Sequence, residues 1–166
     1  PDATIARNYE INLPGDLDEA LAKAKIKARQ QIVGNAAADI ALEMFKGEEK
    51  TQCNLLSLQK TGQAMVLDFF APWCGACPKA AQHLDHLAET FSDRCQFVLI
   101  SVNPDVDAAV NFAKQHGITR CVVAAVVDEN APANYLVSGL PHQTLIAPDA
   151  TIARNYEINL PGDLDE

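Results

Sequence analysis

The sequence has no long apolar run. Nothing in it approaches the roughly 18 consecutive apolar residues that span a bilayer, which excludes a membrane-crossing helix from these residues. It opens on Pro1 and a polar stretch instead of Met with a basic and then apolar leader, which predicts a mature form or an excised segment. Basic residues are scarce, 13 Lys and Arg against 22 Asp and Glu for a formal charge of −9. Such a chain is a poor match for a phosphate backbone or an anionic lipid surface, so no nucleic-acid or membrane partner is expected. Cysteine is sparse and odd in number, five in all, which argues against a disulfide framework. With 8 Gly, 9 Pro and 48% hydrophobic residues, the composition excludes disorder, collagen and coiled coil, and leaves an ordinary globular chain.

What the chain does have is a copy of its own start. Residues 1–19 (PDATIARNYEINLPGDLDE) recur letter for letter as residues 148–166, so the independent sequence is 147 residues, enough for one domain. Each copy carries five acids and one Arg, and counting the segment once brings the charge to about −5. An identity of this length predicts either a tandem array of near-identical units or one segment placed at both ends.

Hydrophobic patterning sets the order of elements. A helix is expected from Asp16 to Gln31, with Asp16 and Glu19 spaced as a capping box, and a second from Ala36 to Phe45 on the spacing of Ile40, Ala41, Met44 and Phe45. Residues 52–63 are ambiguous. Residues 64–70 (AMVLDFF) read as a buried strand, followed from Cys74 by a helix with Ala80, Leu84, Leu87 and Phe91 on its apolar stripe. Residues 96–102 and 121–127 read as two more strands, separated by a helix that opens at Asn103-Pro104-Asp105 and closes at Gly117. A hairpin, 144–147 with 151–157, completes a mixed α/β sheet with helices on both faces. The expected organisation is a duplicate segment at 1–19, a helical segment at 16–50 and the main domain at 51–166. The second copy would supply the hairpin's edge strand and the helix of the first copy would dock back on the sheet. One strand copy would then be surplus, free to pair with another molecule.

The chemistry-bearing motif is Trp73-Cys74-Gly75-Ala76-Cys77, placed where a buried strand hands over to a helix N-terminus. Unpaired N–H groups and the helix dipole there favour a thiolate on the first cysteine, and the second lies close enough to attack a mixed disulfide. A structural zinc would need two further ligands in a close pair, and Cys53, Cys95 and Cys121 stand alone, so no metal is expected. Asp68 sits inside an apolar strand, where desolvation raises a carboxyl pKa.

Residues 66–77, VLDFFAPWCGAC, resemble the active-site strand and loop of the thioredoxin family, and the likeness extends in order and spacing over most of residues 64–157. The resemblance implies a thioredoxin fold and thiol–disulfide exchange carried by the two thiols without a cofactor. It makes Cys74 the nucleophile, Cys77 the resolving thiol and Asp68 the buried acid that helps deprotonate it. Trp73 with the Gly75-Ala76 dipeptide would flank the substrate, Pro141 would be the family's cis-proline and Leu140 would offer its backbone to an extended substrate segment. The expected partners are protein disulfides or dithiols and a reductase or oxidase that recycles the pair. Gly75-Ala76 replaces the Gly-Pro of thioredoxin proper, and residues 96–102 hold no lysine to partner Asp68. The region from Val102 to Pro141 is more similar to membrane-tethered bacterial thioredoxin-like proteins, which implies an extracytoplasmic compartment, whereas three spare thiols suit the cytoplasm. The alternative is a non-enzymatic module using the same fold as a scaffold for protein contacts. Cys95 and Cys121 are expected in the core and Cys53 nearer the surface; surface or packing roles are expected for all four His, with a place near the thiols as the alternative for His142, beside Pro141.

Overall fold

The computed structural model describes residues 15–156 and 158–164. The strand expected of the first copy, within residues 1–9, and the side chain of Asp16 lie outside the described residues.

A seven-stranded mixed sheet organises the chain: β1 Ala41–Lys46, β2 Glu49–Asn54, β3 Ala64–Phe70, β4 Cys95–Ser101, β5 Val122–Val126, β6 His142–Ile146 and β7 Ile152–Tyr156, in the spatial order β2-β1-β5-β4-β3-β6-β7. The three central strands β5, β4 and β3 are parallel, joined by α2 (Cys77–Phe91) and α3 (Val106–Gln115). Parallel crossovers are right-handed, and because both step the same way along the sheet, both helices fall on one face. The outer pairs are antiparallel, as the expected closing hairpin requires.

The side chains alternate between two cores, as strand geometry demands. Val66, Phe70, Phe97, Leu99 and Leu145 face α2 and α3, with Phe70 and Phe112 stacked at 4.5 Å between ring centres. On the stripe of α2 it is Ala81, with Leu84, Leu87, Ala88 and Phe91, that is buried; Ala80, expected there, lies at the margin. Met65, Leu67, Phe69, Val98 and Ile100 face the other way, against Leu55 and Tyr135 from two short helical turns. Asp105 caps α3 by accepting from the Ala108 N–H at 3.0 Å. Asp85, on α2, accepts from the N–H groups of Arg120 and Cys121 at 2.7 and 3.0 Å and so ties that helix to the entry of β5.

The helix expected from Ala36 to Phe45 is absent, and β1 takes its place. Helical spacing of a few apolar residues is outweighed by pairing on both sides, with β2 from Ala41 to Lys46 and with β5 at Leu42 and Glu43. The hairpin to β2 turns through Gly47 at φ 66°, a conformation glycine adopts without strain, and residue 51, the expected domain boundary, falls inside β2. The ambiguous stretch after β2 is the helical turn Leu55–Leu58 and a loop.

α1 (Gly15–Arg29) matches the expected first helix. It is exposed along nearly its whole length until Arg29, which is buried. The guanidinium of Arg29 donates to the Ser138 hydroxyl and lies 4.0 Å over the Tyr156 ring. Gln30 donates from Nε2 to the Asn155 carbonyl at 2.7 Å, and Gly34 and Ala37 donate from their backbone to Ile152 and Ala150 at 2.8 Å each. The second copy thus provides β7, and the segment after α1 runs along it.

Candidate active site

β3 delivers the chain to the site. Its last residues and Ala71 are fully buried, Pro72 ends the strand, and Trp73 emerges with 72% of its surface exposed. The Cys74 N–H donates to the Ala71 carbonyl at 3.0 Å and the Cys77 N–H to the Cys74 carbonyl at 3.3 Å, which folds residues 71–77 into two tight turns. α2 begins at Cys77, not at Cys74 as expected; Pro78, lacking an N–H, is tolerated in its first turn. Cys74 therefore sits just ahead of the helix, where the unpaired N–H groups point.

Cys74 and Cys77 are joined in a disulfide with their Cα atoms 5.4 Å apart. Cys77 is wholly buried in the core under α2, whereas Cys74 is half-buried and Gly75 and Ala76 are exposed. Any reagent approaching from solvent meets Cys74 first.

Asp68 lies on the same face of the sheet as Val66 and Phe70, the face that packs on α2, and has no exposed surface. Neither carboxylate oxygen has a hydrogen-bond partner among the described residues. Burial pushes its pKa up to about 7; the Gln143 amide, across from it in the β3–β6 register, pulls weakly the other way without reaching hydrogen-bond geometry. Among the described residues none supplies the hydrogen-bonding partner that residues 96–102 lack.

The Leu140–Pro141 peptide is cis, and Leu140, half-buried, packs against both cores. Trp73 and Leu140 line one groove of about 550 Å³ together with Val102, Pro104, Glu129 and Val137. Of these, the sequence pointed only to Trp73 and Leu140; the others sit on loops that only the tertiary fold brings together. His142 does not join the thiols. Its ring lies on the opposite face from Asp68, against Phe69 and Tyr156, with Nε2 2.9 Å from Asn155 Oδ1. Cys95 and Cys121 are buried, as expected of core thiols, and burial pushes Cys95 up to about 12. Cys53 is half-buried against Met44. No helix among the described residues is long and apolar enough to cross a membrane.

A disulfide at the junction of a parallel strand and a crossover helix, inside a mixed sheet closed by an antiparallel hairpin, defines a dithiol exchange protein. The thioredoxin family model matches residues 51–147. The chain therefore belongs to the thioredoxin family of thiol–disulfide oxidoreductases. It is similar to thioredoxin 1 of Synechococcus elongatus, 32% identical over 81 residues that cover 49% of this chain and 72% of that one. In fold it is similar to a thiol-disulfide oxidoreductase from Bacteroides fragilis (TM-score 0.64, 21% identity, 79% of this chain and 98% of that one). The thioredoxin domain of a thiol-disulfide oxidoreductase from Bacteroides vulgatus aligns comparably (TM-score 0.66, 18% identity, 80% of this chain and 95% of that one).

Proposed function

We propose that Cys74 is the attacking thiol and Cys77 the resolving thiol of a protein-disulfide reductant or oxidant. The observation that carries the assignment is their difference in burial: Cys74 reaches solvent beside Trp73, and Cys77 does not. In the reducing direction the Cys74 thiolate bonds to one sulfur of a substrate disulfide and releases the other as a thiolate. The Cys77 thiolate then bonds to Cys74 Sγ and expels the second substrate thiol. Two electrons pass to the substrate, and the pair is left as the disulfide seen here. A reductase returns the electrons in this direction; an oxidase withdraws them in the other.

Asp68 supports this assignment as a proton acceptor. A carboxyl titrating at about 7 on the face shared with Cys77 exchanges protons at the pH where thiols must ionise. The groove between Trp73 and Leu140 would hold the substrate chain, with the Leu140 backbone and cis-Pro141 beside it and Gly75 and Ala76 leaving the approach open. Three remaining thiols fit a reducing cytosol, and two of them are sheltered in the core, so an extracytoplasmic site fits as well; the reduction potential of the pair separates the two.

Cys77→Ser should accumulate a covalent complex with a disulfide-bonded protein such as insulin, released by added thiol, while Cys74→Ser should form none and lose turnover. Full disulfide-reductase activity in Cys74→Ser would refute the assignment, and no such activity in the unsubstituted chain would leave the scaffold reading.

A further inference from the structure

The groove beside the dithiol lies where α/β sheets place their ligands, outside the carboxyl ends of the parallel strands. Trp73 follows β3, Val102 and Pro104 follow β4, Glu129 follows β5, and Val137 and Leu140 precede β6. The wall is largely apolar, and Glu129 is the one charged side chain among the described residues that line it. Nearby carboxylates are committed to their own backbone. Asp128 Oδ1 accepts from the Asn130 N–H at 2.9 Å and from Asn130 Nδ2 at 3.1 Å, and Asp105 caps α3. With the Ala131 N–H donating to the Asp128 carbonyl at 3.0 Å, the turn that carries Glu129 is held in place. Glu129 itself is exposed, and among the described residues no cation pairs with it.

The other wall points to the same guest. Trp73 is exposed and lines the same groove, and an aromatic face attracts a cation, indole most strongly of all. Two chemically unrelated groups, a carboxylate and an indole, therefore favour one sign of charge. Pro104, Val137 and Leu140 suit the methylene stem of Lys or Arg, which packs on apolar surface while its charged head reaches polar partners. Trp73 adjoins Cys74, and an extended segment advances about 3.3 Å per residue, so a side chain within about three residues of a reacting cysteine reaches this groove.

We propose that, given the dithiol roles proposed above, this groove selects protein disulfides that carry a Lys or Arg close in sequence to the reacting cysteine. Glu129 and Trp73 are the specificity-determining side chains. The ammonium or guanidinium lies between the carboxylate and the indole, and the substrate disulfide is thereby brought to Cys74. A substrate with Asp or Glu at the same place meets the Glu129 charge and is disfavoured, so selection comes from repulsion as well as attraction.

The test mixes the reduced chain with peptides that share one sequence except for Lys, Gln or Glu beside their cysteine, each held as a mixed disulfide with thionitrobenzoate. Cys74 bonds to the peptide sulfur and thionitrobenzoate, the better leaving group, departs as a coloured thiolate that reports the second-order rate constant. Cys77 then bonds to Cys74 and frees the peptide thiolate. Rates are divided by those of dithiothreitol with the same peptides, which removes the effect of the neighbouring charge on the disulfide itself. At low ionic strength the Lys peptide should react about tenfold faster than the Glu peptide, and the ratio should shrink at about 1 M salt. Glu129→Gln should bring the ratio to about threefold or less, and Glu129→Lys should invert it. The peptide and salt comparisons on the unsubstituted chain do not depend on how the variants fold. Equal normalised rates for the Lys and Glu peptides, a ratio indifferent to salt, or a ratio unchanged in Glu129→Gln would overturn the charge selection while leaving Cys74 and Cys77 in their roles. Release no faster than from Cys74→Ser with every peptide would overturn the dithiol roles, and the selection with them.

Discussion

Asp68 and Asn155 are both fully buried, on opposite faces of the sheet, and their surroundings could hardly differ more. Asn155 Oδ1 accepts from the Thr144 hydroxyl at 2.7 Å and pairs with His142 Nε2, while its Nδ2 donates to the carbonyls of Arg29 and Tyr135 at 2.8 and 3.1 Å. Every hydrogen-bonding capacity of that amide is filled, and the network ties β6, β7, the end of α1 and the turn at Tyr135 into one body. Asp68, two residues before the end of the strand that leads to the dithiol, has none filled among the described residues. A satisfied buried group holds a fold together; an unsatisfied one costs stability and signals chemistry.

The largest expected effect lies on the satisfied face. Asn155→Ala would strand His142, Thr144 and two carbonyls without partners and should cost about 5 kcal/mol in urea unfolding. A loss under about 1 kcal/mol would mean the network contributes nothing to the fold.

Asp68→Asn comes next and should act with the opposite sign. The carboxyl titrates at about 7 when folded and at 3.8 otherwise, so the native chain binds the extra proton between those values. Stability on that account is full below about pH 4, declines as pH rises, and levels off above pH 7, a span of roughly 4 kcal/mol. Asp68→Asn should match wild type near pH 4 and exceed it at pH 8, while slowing disulfide exchange. A stability difference that does not change with pH would show that the carboxyl is not buried in its charged form.

Smaller still is His142. Burial holds its pKa below the ordinary 6.5, with Asn155 opposing and Arg29 assisting, so the native ring stays neutral. Its contribution is present above pH 6.5 and is lost as pH falls, because the unfolded ring takes up the proton first. His142→Phe should cost about 1 to 2 kcal/mol at pH 8, by removing one bond to Asn155, and should flatten the acid side of the stability profile. The two faces therefore tilt the pH profile in opposite directions, and an acid slope that persists in the variant would assign it elsewhere.

Legibility in the sequence followed the same division. β3, α2, β4, α3 and β5 were readable because each is a continuous apolar run or stripe bounded by Pro, Gly or a cap, and local pattern suffices for such segments. The dithiol and Asp68 were readable because a C-x-x-C after a strand and an acid within one are both locally anomalous. β1 was misread because Ile40, Ala41, Met44 and Phe45 satisfy a helical spacing by accident, while its strand partners β2 and β5 are set by tertiary pairing; only Gly47, at a two-residue loop, marked the hairpin. Asn155 and Gln143 carried no signal at all. Their importance comes from strand register, which places Gln143 opposite Asp68 and Asn155 opposite Thr144.

Trp73 is the chain's one tryptophan, and it stands in solvent next to Cys74. Disulfides quench nearby indole emission, so the redox state of the pair should be written directly into the protein's native fluorescence. The molecule carries its own optical electrode: titration against a thiol buffer would read the potential of the Cys74–Cys77 couple without any label, substrate or coupled enzyme.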